Sequence, residues 1–281
     1  MTSELVLTLS CPDRPGIVHA VSGFLAEREC NILDSQQYGS ARSTRFFLRM
    51  HISSPVAIED LQTAFAQVAG KFSMHWELHD SSHRPAVVVL VSKQGHCLND
   101  LLYRWQSGSL PCEIAAVAAN HPDLAPLAAA HSVPFHHLPV TPQTRDAQEA
   151  QILDLIDQTG AELVVLARYM QVLTPTLCDA MPGRIINIHH SFLPSFRGGR
   201  PYDQAFEHGV KLIGATAHYV TADLDEGPII EQETARVGHQ HEPSDLATIG
   251  RDLESVALAR AVRWHLEHRV LLDGGRTVVF A

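Results

Sequence analysis

The chain has 281 residues, 45% of them hydrophobic and 19% charged, which suits a folded protein of about two domains and excludes a disordered or fibrous one. Its 21 Lys and Arg stand against 31 Asp and Glu, and a net charge of -10 repels the phosphates of a nucleic acid. No stretch approaches the roughly 20 apolar residues of a membrane span, and the first ten residues carry neither a basic leader nor a small-residue cleavage site, so a cytoplasmic protein without nucleic-acid or membrane partners is expected.

Apolar alternation over residues 5–9 predicts a first strand, and Cys11-Pro-Asp-Arg-Pro-Gly16 a turn that delivers a helix over 17–28. Strands follow over 31–38 and 44–52, the latter with Phe46, Leu48 and Met50 on one face. A helix over 58–69 and a strand over 72–78 complete a ferredoxin-like βαββαβ order in a first domain of residues 1–80. The polar, proline-terminated stretch Ser81-Ser-His-Arg-Pro85 reads as a linker, with a second domain over 86–281.

In that second domain, unalternating apolar strands over 87–91, 113–119, 163–166 and 185–188, with a short one near 135, interleave with helices over 98–105, 124–131 and 146–158. Such runs suit a sheet covered on both faces, so the class is α/β and the architecture a Rossmann-like, open, mostly parallel sheet. A further strand is expected at 218–220. A long helix bearing Leu246, Ile249, Leu253, Val256, Leu258, Val262 and Leu266 precedes a last strand near 278–280 and is assigned to packing rather than chemistry. The cysteines, Cys11, Cys30, Cys97, Cys112 and Cys178, are odd in number and form no Cys-x-x-Cys pair, so buried reduced thiols are expected. Eighteen histidines include no His-Glu-x-x-His, and no metal is expected.

In open α/β sheets ligands bind at the carboxyl ends of the strands. There the chain places Asn187-Ile-His189-His-Ser191, whose Asn187 and His189 share one face by the period of two. Asn offers an amide donor to a developing oxyanion and His a proton or a positive charge, which suits acyl chemistry. A second cluster, His218 to Pro228, ends a strand and turns on Gly227-Pro228. Taken singly, each residue has a plain structural alternative: Asn187 bonding local backbone, His189 filling the core, Asp225 forming a turn.

The combined string Asn187-x-His189-x-Ser191-x-Leu193-Pro194, followed by Leu224-Asp225-x-Gly227-Pro228, resembles the signature of the folate-dependent formyltransferase family. The resemblance implies Asn187, His189 and Asp225 as the catalytic set. Val91-Ser-Lys-Gln-Gly-His-Cys-Leu-Asn-Asp-Leu-Leu-Tyr-Arg-Trp105, Leu166-Ala-Arg-Tyr-Met-Gln-Val-Leu173 and Arg200-Pro-Tyr-Asp-Gln-Ala-Phe206 are similar to its deformylase branch. That implies hydrolysis of 10-formyltetrahydrofolate to formate and tetrahydrofolate, supplying formate for purine synthesis and balancing the one-carbon folate pool, with no cofactor. The folate would lie against Met170, Gln171, Leu173, Val220, Thr221, Asp223 and Leu224. Asp225 would deprotonate a water directly or through His189, while Asn187 and protonated His189 hold the oxyanion. His218 and Lys93 are the expected supports. The loop after the first sheet strand holds Lys93, His96 and Cys97 with only Gly95, a poor phosphate cradle, which argues against a phosphoribosyl acceptor. The segment Phe196-Arg-Gly-Gly-Arg200 is more basic and glycine-rich than the family pattern.

Cys11-Pro-Asp-Arg-Pro-Gly-Ile-Val18 with Asn31-Ile32 resembles an ACT domain. That resemblance implies a homo-oligomer and either an amino-acid effector, methionine or glycine, near Asp13, Gly16, Asn31 and Ile32, or a purely structural edge-pairing role without a ligand. The rival readings are a transferase with an amine acceptor and a non-catalytic amino-acid sensor.

Overall fold

A computed structural model describes residues 2–193 and 201–281. Pro194 of the signature string, the basic segment 196–200 and the Arg200 that opens the third similar string lie outside the described residues. Contacts divide the chain into two compact units, Met1–His83 with Glu267–Ala281, and Arg84–Leu266. No helix among the described residues is long and apolar enough to cross a membrane.

The first unit runs β1 (Ser3–Pro12), α1 (Ile17–Ala26), β2 (Asn31–Ser40), β3 (Arg45–Ser54), α2 (Ile58–Phe72) and β4 (His75–Asp80), the expected βαββαβ order. Its sheet is antiparallel throughout, ordered β2-β3-β1-β4. Leu5, Leu7 and Leu9 of β1 and Leu48, Met50 and Ile52 of β3 alternate onto one face and pack against Val21, Leu25, Leu61 and Phe65 of the helices. Phe65 stands edge-on to both Phe24 and Trp76, at 5.2 and 4.9 Å between centroids. The fourth strand starts later than expected. Residues 65, 69 and 72 keep the helical period, so α2 runs on to Phe72 and stops at Ser73, whose φ of 51° is left-handed.

The last residues correct the expected domain boundary. After α8 (Pro243–Leu266), which belongs to the second unit, β12 (Val270–Asp273) and β13 (Arg276–Val279) form a hairpin that groups with the first unit, not with the second. Arg49 of β3, 4% exposed, is the link: its Nε and Nη2 donate to the Glu267 carbonyl at 3.3 and 3.0 Å, and Nη1 faces Asp34 at 3.4 Å. A buried cation needs such partners, and the Glu267 carbonyl comes from a segment more than 200 residues away.

The second unit is a seven-stranded sheet ordered β11-β10-β9-β8-β5-β6-β7. Its strands are β5 (Ala86–Val91), β6 (Glu113–Ala119), β7 (Phe135–His137), β8 (Leu163–Leu166), β9 (Ile185–His189), β10 (Leu212–Tyr219) and β11 (Ile229–Arg236). Its helices are α3 (His96–Gln106), α4 (Ala125–Ala130), α5 (Arg145–Thr159), α6 (Pro175–Ala180), α7 (Pro201–Glu207) and α8. Strands β5 to β9 pair in parallel, whereas β10 and β11 turn antiparallel. Sequence periodicity misses β11, α6 and α7. Strand β11, Ile-Ile-Glu-Gln-Glu-Thr-Ala-Arg, is a polar edge without an apolar run, and the two helices span only six and seven residues.

From β5 the chain winds outward to β7 and returns to lay β8 on the other side of β5. That reversal leaves a crevice at the carboxyl ends of β5, β8 and β9. All five cysteines are free, and all but Cys30 are buried. In α8 the expected stripe is rotated. Gly250, Glu254, Ala257 and Ala261 are buried alongside Leu246, Leu258, Val262 and Leu266, whereas Ile249, Leu253 and Val256 are only half-buried. Apolar spacing misplaces this face because a carboxylate sits in its middle.

Replacing Arg49 by Met should leave the Glu267 carbonyl and Asp34 without their donor and cost about 2 kcal/mol. A lower urea midpoint for the first unit, followed by near-ultraviolet circular dichroism, is the expected result.

Candidate active site

Asn187 and His189 leave the end of β9 on one face, as the period of two dictates. Strand β10 lies antiparallel to β9 with His218 directly opposite Asn187, so the two side chains meet. Asn187 Nδ2 lies 3.2 Å from His218 Nε2, and His218 Nδ1 lies 2.8 Å from the Tyr219 carbonyl. The tautomer that satisfies both carries its proton on Nδ1, donates to the carbonyl, and accepts the Asn187 amide at Nε2. The expected brace of Asp225 is therefore nearer to Asn187. Asp225 Oδ1 is 3.6 Å from His218 Nε2.

Asp225 comes from the loop after β10, and its φ of 56° is left-handed. Gly227 explains how the loop returns: a Cβ there would stand 1.7 Å from the Tyr219 carbonyl, so only glycine permits this crossing. The return brings Asp225 Oδ2 within 3.3 Å of His189 Nδ1. His189 is 5% exposed, and its Nε2 is buried without a hydrogen-bond partner among the described residues. Contact with His189 and then with His218 holds the Asp225 carboxyl well below the usual carboxylate range, against the opposing effect of burial.

These residues line a cavity of about 220 Å³. Met170, Gln171 and Leu173 form one wall, and Val220, Thr221, Asp223 and Leu224 another, so every expected folate contact lies on this cleft. Lys93 does not line it and is exposed in the β5–α3 loop. Sequence reasoning misses the anchors of the first wall. The Met170 amide donates to Ser92 Oγ at 2.9 Å, and Ser92 donates to Asn120 at 2.7 Å. From α5, Gln148 donates to the Tyr169 hydroxyl at 2.7 Å, buried Glu149 accepts the Thr174 amide at 2.8 Å, and Arg145 donates to the Val172 carbonyl. The only signal was a polar pair, Gln148-Glu149, within an otherwise apolar helix face.

A second polar cluster lies beside the cleft. Glu254, 1% exposed, receives His96 Nε2 and the Tyr202 hydroxyl, each at 2.7 Å, and stands 3.4 Å from Arg168 Nε. Burial would raise its carboxyl, yet His96, Arg168 and Tyr202 together hold it below its usual range. Arg168 and His190 both line the cleft. Burial first, then the charges of Arg168 and His189, lower the His190 imidazole to about 4, so it is neutral at pH 7. His96, Cys97 and Glu254 offer three donor atoms within 4.8 Å of one another. Burial and the Glu254 charge push the Cys97 thiol far up, and Arg168 already neutralises the carboxylate, so the donor set suits a closed ion pair better than a cation. This corrects the assignment of α8 to packing alone.

In the first unit, Asp13 and Gly16 follow the end of β1, whereas Asn31 and Ile32 open β2. The register pairs Pro12 with Arg45 and Asn31 with Ser53, which puts the two pairs at opposite ends of the sheet, about 27 Å apart. Within one chain the four residues do not form one small-molecule site.

Residues 86–262 match the model of the formyl transferase family, and residues 5–69 that of the ACT domain. The chain is 52% identical, over 98% of its length and 97% of the relative, to a formyltetrahydrofolate deformylase of Corynebacterium sp.. A crystal structure of formyltetrahydrofolate deformylase from Burkholderia mallei superposes with a TM-score of 0.94 at 51% identity, covering 99% of this chain and 100% of that one. The glycinamide ribonucleotide transformylase 1 of Symbiobacterium toebii matches at a TM-score of 0.67 and 33% identity, covering 71% of this chain and 95% of that one.

Because Asp225 is depressed by its folded partners, it contributes stability above its unfolded pKa and loses it as pH falls through the folded value. The urea midpoint of the parent should exceed that of Asp225→Asn at pH 7, and the gap should close as pH drops below about 3.9. A gap independent of pH would contradict the ion-pair origin.

Proposed function

We infer the function from the premise that the chain belongs to the formyltetrahydrofolate deformylase family, hydrolases with an ACT domain ahead of a formyl transferase domain. We propose that it hydrolyses 10-formyltetrahydrofolate to formate and tetrahydrofolate, and thereby supplies formate for purine synthesis and balances the one-carbon folate pool. The observation that carries the chemistry is the Asn187–His189–Asp225 cluster, with the buried His189 Nε2 left without a partner among the described residues on a cleft of about 220 Å³.

In this reading the pterin lies between the walls at Met170–Leu173 and Val220–Leu224, and the formyl group reaches Asn187 and His189. A base useful at neutral pH needs a pKa near that pH. The Asp225 carboxylate is too weakly basic to take a proton from water itself, so its role is to hold His189 with the proton on Nδ1. His189 Nε2 then accepts the proton of the attacking water. The hydroxide adds to the formyl carbon, and Asn187, fixed by His218, donates to the oxyanion; losing such a donor typically costs about 3 kcal/mol. Protonated His189 returns its proton to N10, the C–N10 bond breaks, and formate leaves with one proton released to solvent. Every step is a proton transfer or an oxyanion contact made by these side chains, and no cofactor is assigned.

The ACT unit is proposed to take an amino-acid effector, methionine or glycine, at the Asp13–Gly16 turn. There Gly16 opens α1 in a left-handed conformation without a side-chain cap, leaving amides for a carboxylate. Homo-oligomer formation is proposed through the edge strand β2, where Leu33 and Tyr38 are about half exposed. A cytoplasmic location completes the proposal.

The test is incubation of the purified protein with 10-formyltetrahydrofolate in buffer without NADP or an amine, following tetrahydrofolate and formate together. Equal release of both by the parent, and a drop of at least about 100-fold in Asp225→Asn, is expected. Folate binding without formate release would sink the hydrolase reading in favour of a missing acceptor or a sensor. Titration calorimetry with methionine and with glycine addresses the effector; no heat with either, and unchanged turnover, would remove it.

A further inference from the structure

We propose that Arg168 is the anion subsite of the cleft, receiving the formate that hydrolysis releases, and that Glu254 is its fixed internal counter-ion. The proposal rests on the hydrolase reading and adds to it a residue for product handling.

Arg168 follows β8 at the carboxyl edge of the sheet and is 8% exposed, yet it lines the same cleft as Asn187, His189 and His190. Its φ of 65° is left-handed, a conformation that a side chain as large as arginine adopts only where the surroundings enforce it. A buried ion pair is a poor source of stability, because both charges leave water. A strained backbone carrying a buried charge beside a reacting centre is the pattern of a functional site.

The pair is arranged so that the carboxylate is satisfied by others. His96 and Tyr202 hold the two Glu254 oxygens, each at 2.7 Å, while Arg168 Nε stays 3.4 Å away and has no hydrogen-bond partner among the described residues. Glu254 therefore supplies charge balance without consuming the guanidinium in a two-pronged pair. Tyr202 can reach Glu254 only because α8 carries Gly250: a Cβ there would stand 2.0 Å from the Tyr202 hydroxyl.

The chemistry calls for such a cation. Hydrolysis generates a small planar carboxylate next to the ionised Asp225, which repels it, and neutral Asn187 and His190 offer it no positive charge. Guanidinium matches a carboxylate with two parallel donors. Among the described residues that line this cleft, Arg168 supplies the guanidinium, and it draws the product away from the Asp225 carboxylate.

The experiment measures binding of radiolabelled formate by equilibrium dialysis, without folate, to the full-length parent and to Arg168→Met, Arg168→Lys and Glu254→Gln. In parallel, added formate is tested as an inhibitor of tetrahydrofolate release. The parent should bind formate, Arg168→Met about 10-fold more weakly, and Arg168→Lys in between, because it keeps the charge and loses the fork. Glu254→Gln keeps the shape and removes the competing charge, so it should bind formate more tightly than the parent. These opposite signs separate the assignment from general damage, which would weaken every variant, and Arg168→Lys carries the test if Arg168→Met does not fold. Equal binding by the parent and both Arg168 variants, or no binding by the parent, would overturn the subsite; weaker binding by Glu254→Gln would overturn the counter-ion. Arg168-dependent formate binding in a protein that does not hydrolyse the folate would sink the hydrolase reading alone, and hydrolysis with Arg168-independent binding the subsite alone.

Discussion

The contact between His189 Nδ1 and Asp225 Oδ2 is the constraint on which the cleft depends. Its two halves come from places that differ in kind: His189 from a buried strand whose direction is set by the sheet, Asp225 from a loop with a left-handed backbone. What joins them is the antiparallel pairing of β9 with β10 and the bare backbone of Gly227 against Tyr219. A side chain at position 227 would push the loop outward, and the histidine would lose the carboxylate that selects its tautomer. His218, opposite Asn187 in the same pairing, secures the amide by the same geometry.

Around this contact the protein spends an unusual amount of buried polarity. Glu149, Gln148 and Ser92 anchor the loop after β8 that forms one wall of the cleft. Glu254 gathers Arg168, His96 and Tyr202 around it beside the cleft. Such groups cost desolvation free energy that an apolar replacement would avoid. Their position next to the cleft, on helices that otherwise pack by ordinary apolar burial, ties that cost to placing dipoles and charge around a reacting group.

The first unit obeys simpler rules. Its four strands and two helices bury one apolar face, and the edge-on pair of contacts at Phe65 fixes how the helices lie on the sheet. Its sole buried cation, among the described residues, is Arg49, held by Asp34 of β2 and by the Glu267 carbonyl in the last segment of the chain. The chain thus leaves the first unit at the linker and returns to it after α8.

Local pattern alone determined the alternation of β1 and β3, the unalternating runs of the parallel strands, and the shared face of Asn187 and His189, because period and turn chemistry act between residues close in sequence. The set of Asn187, His189 and Asp225 was legible only through the resemblance of the combined string to a family signature, since each residue taken singly had a plain structural alternative. Tertiary structure decided the rest. No local signal says that Glu254 faces inward from a helix whose apolar stripe points elsewhere, that His218 sits nearer Asn187 than Asp225, or that Asp13 and Asn31 lie at opposite ends of a sheet. It equally hides that residues 267–281 complete the unit built by residues 1–83. Each of these is a pairing between positions far apart in the chain, and such pairings are set by strand order and by the need of buried charges for partners, neither of which leaves a period in the sequence.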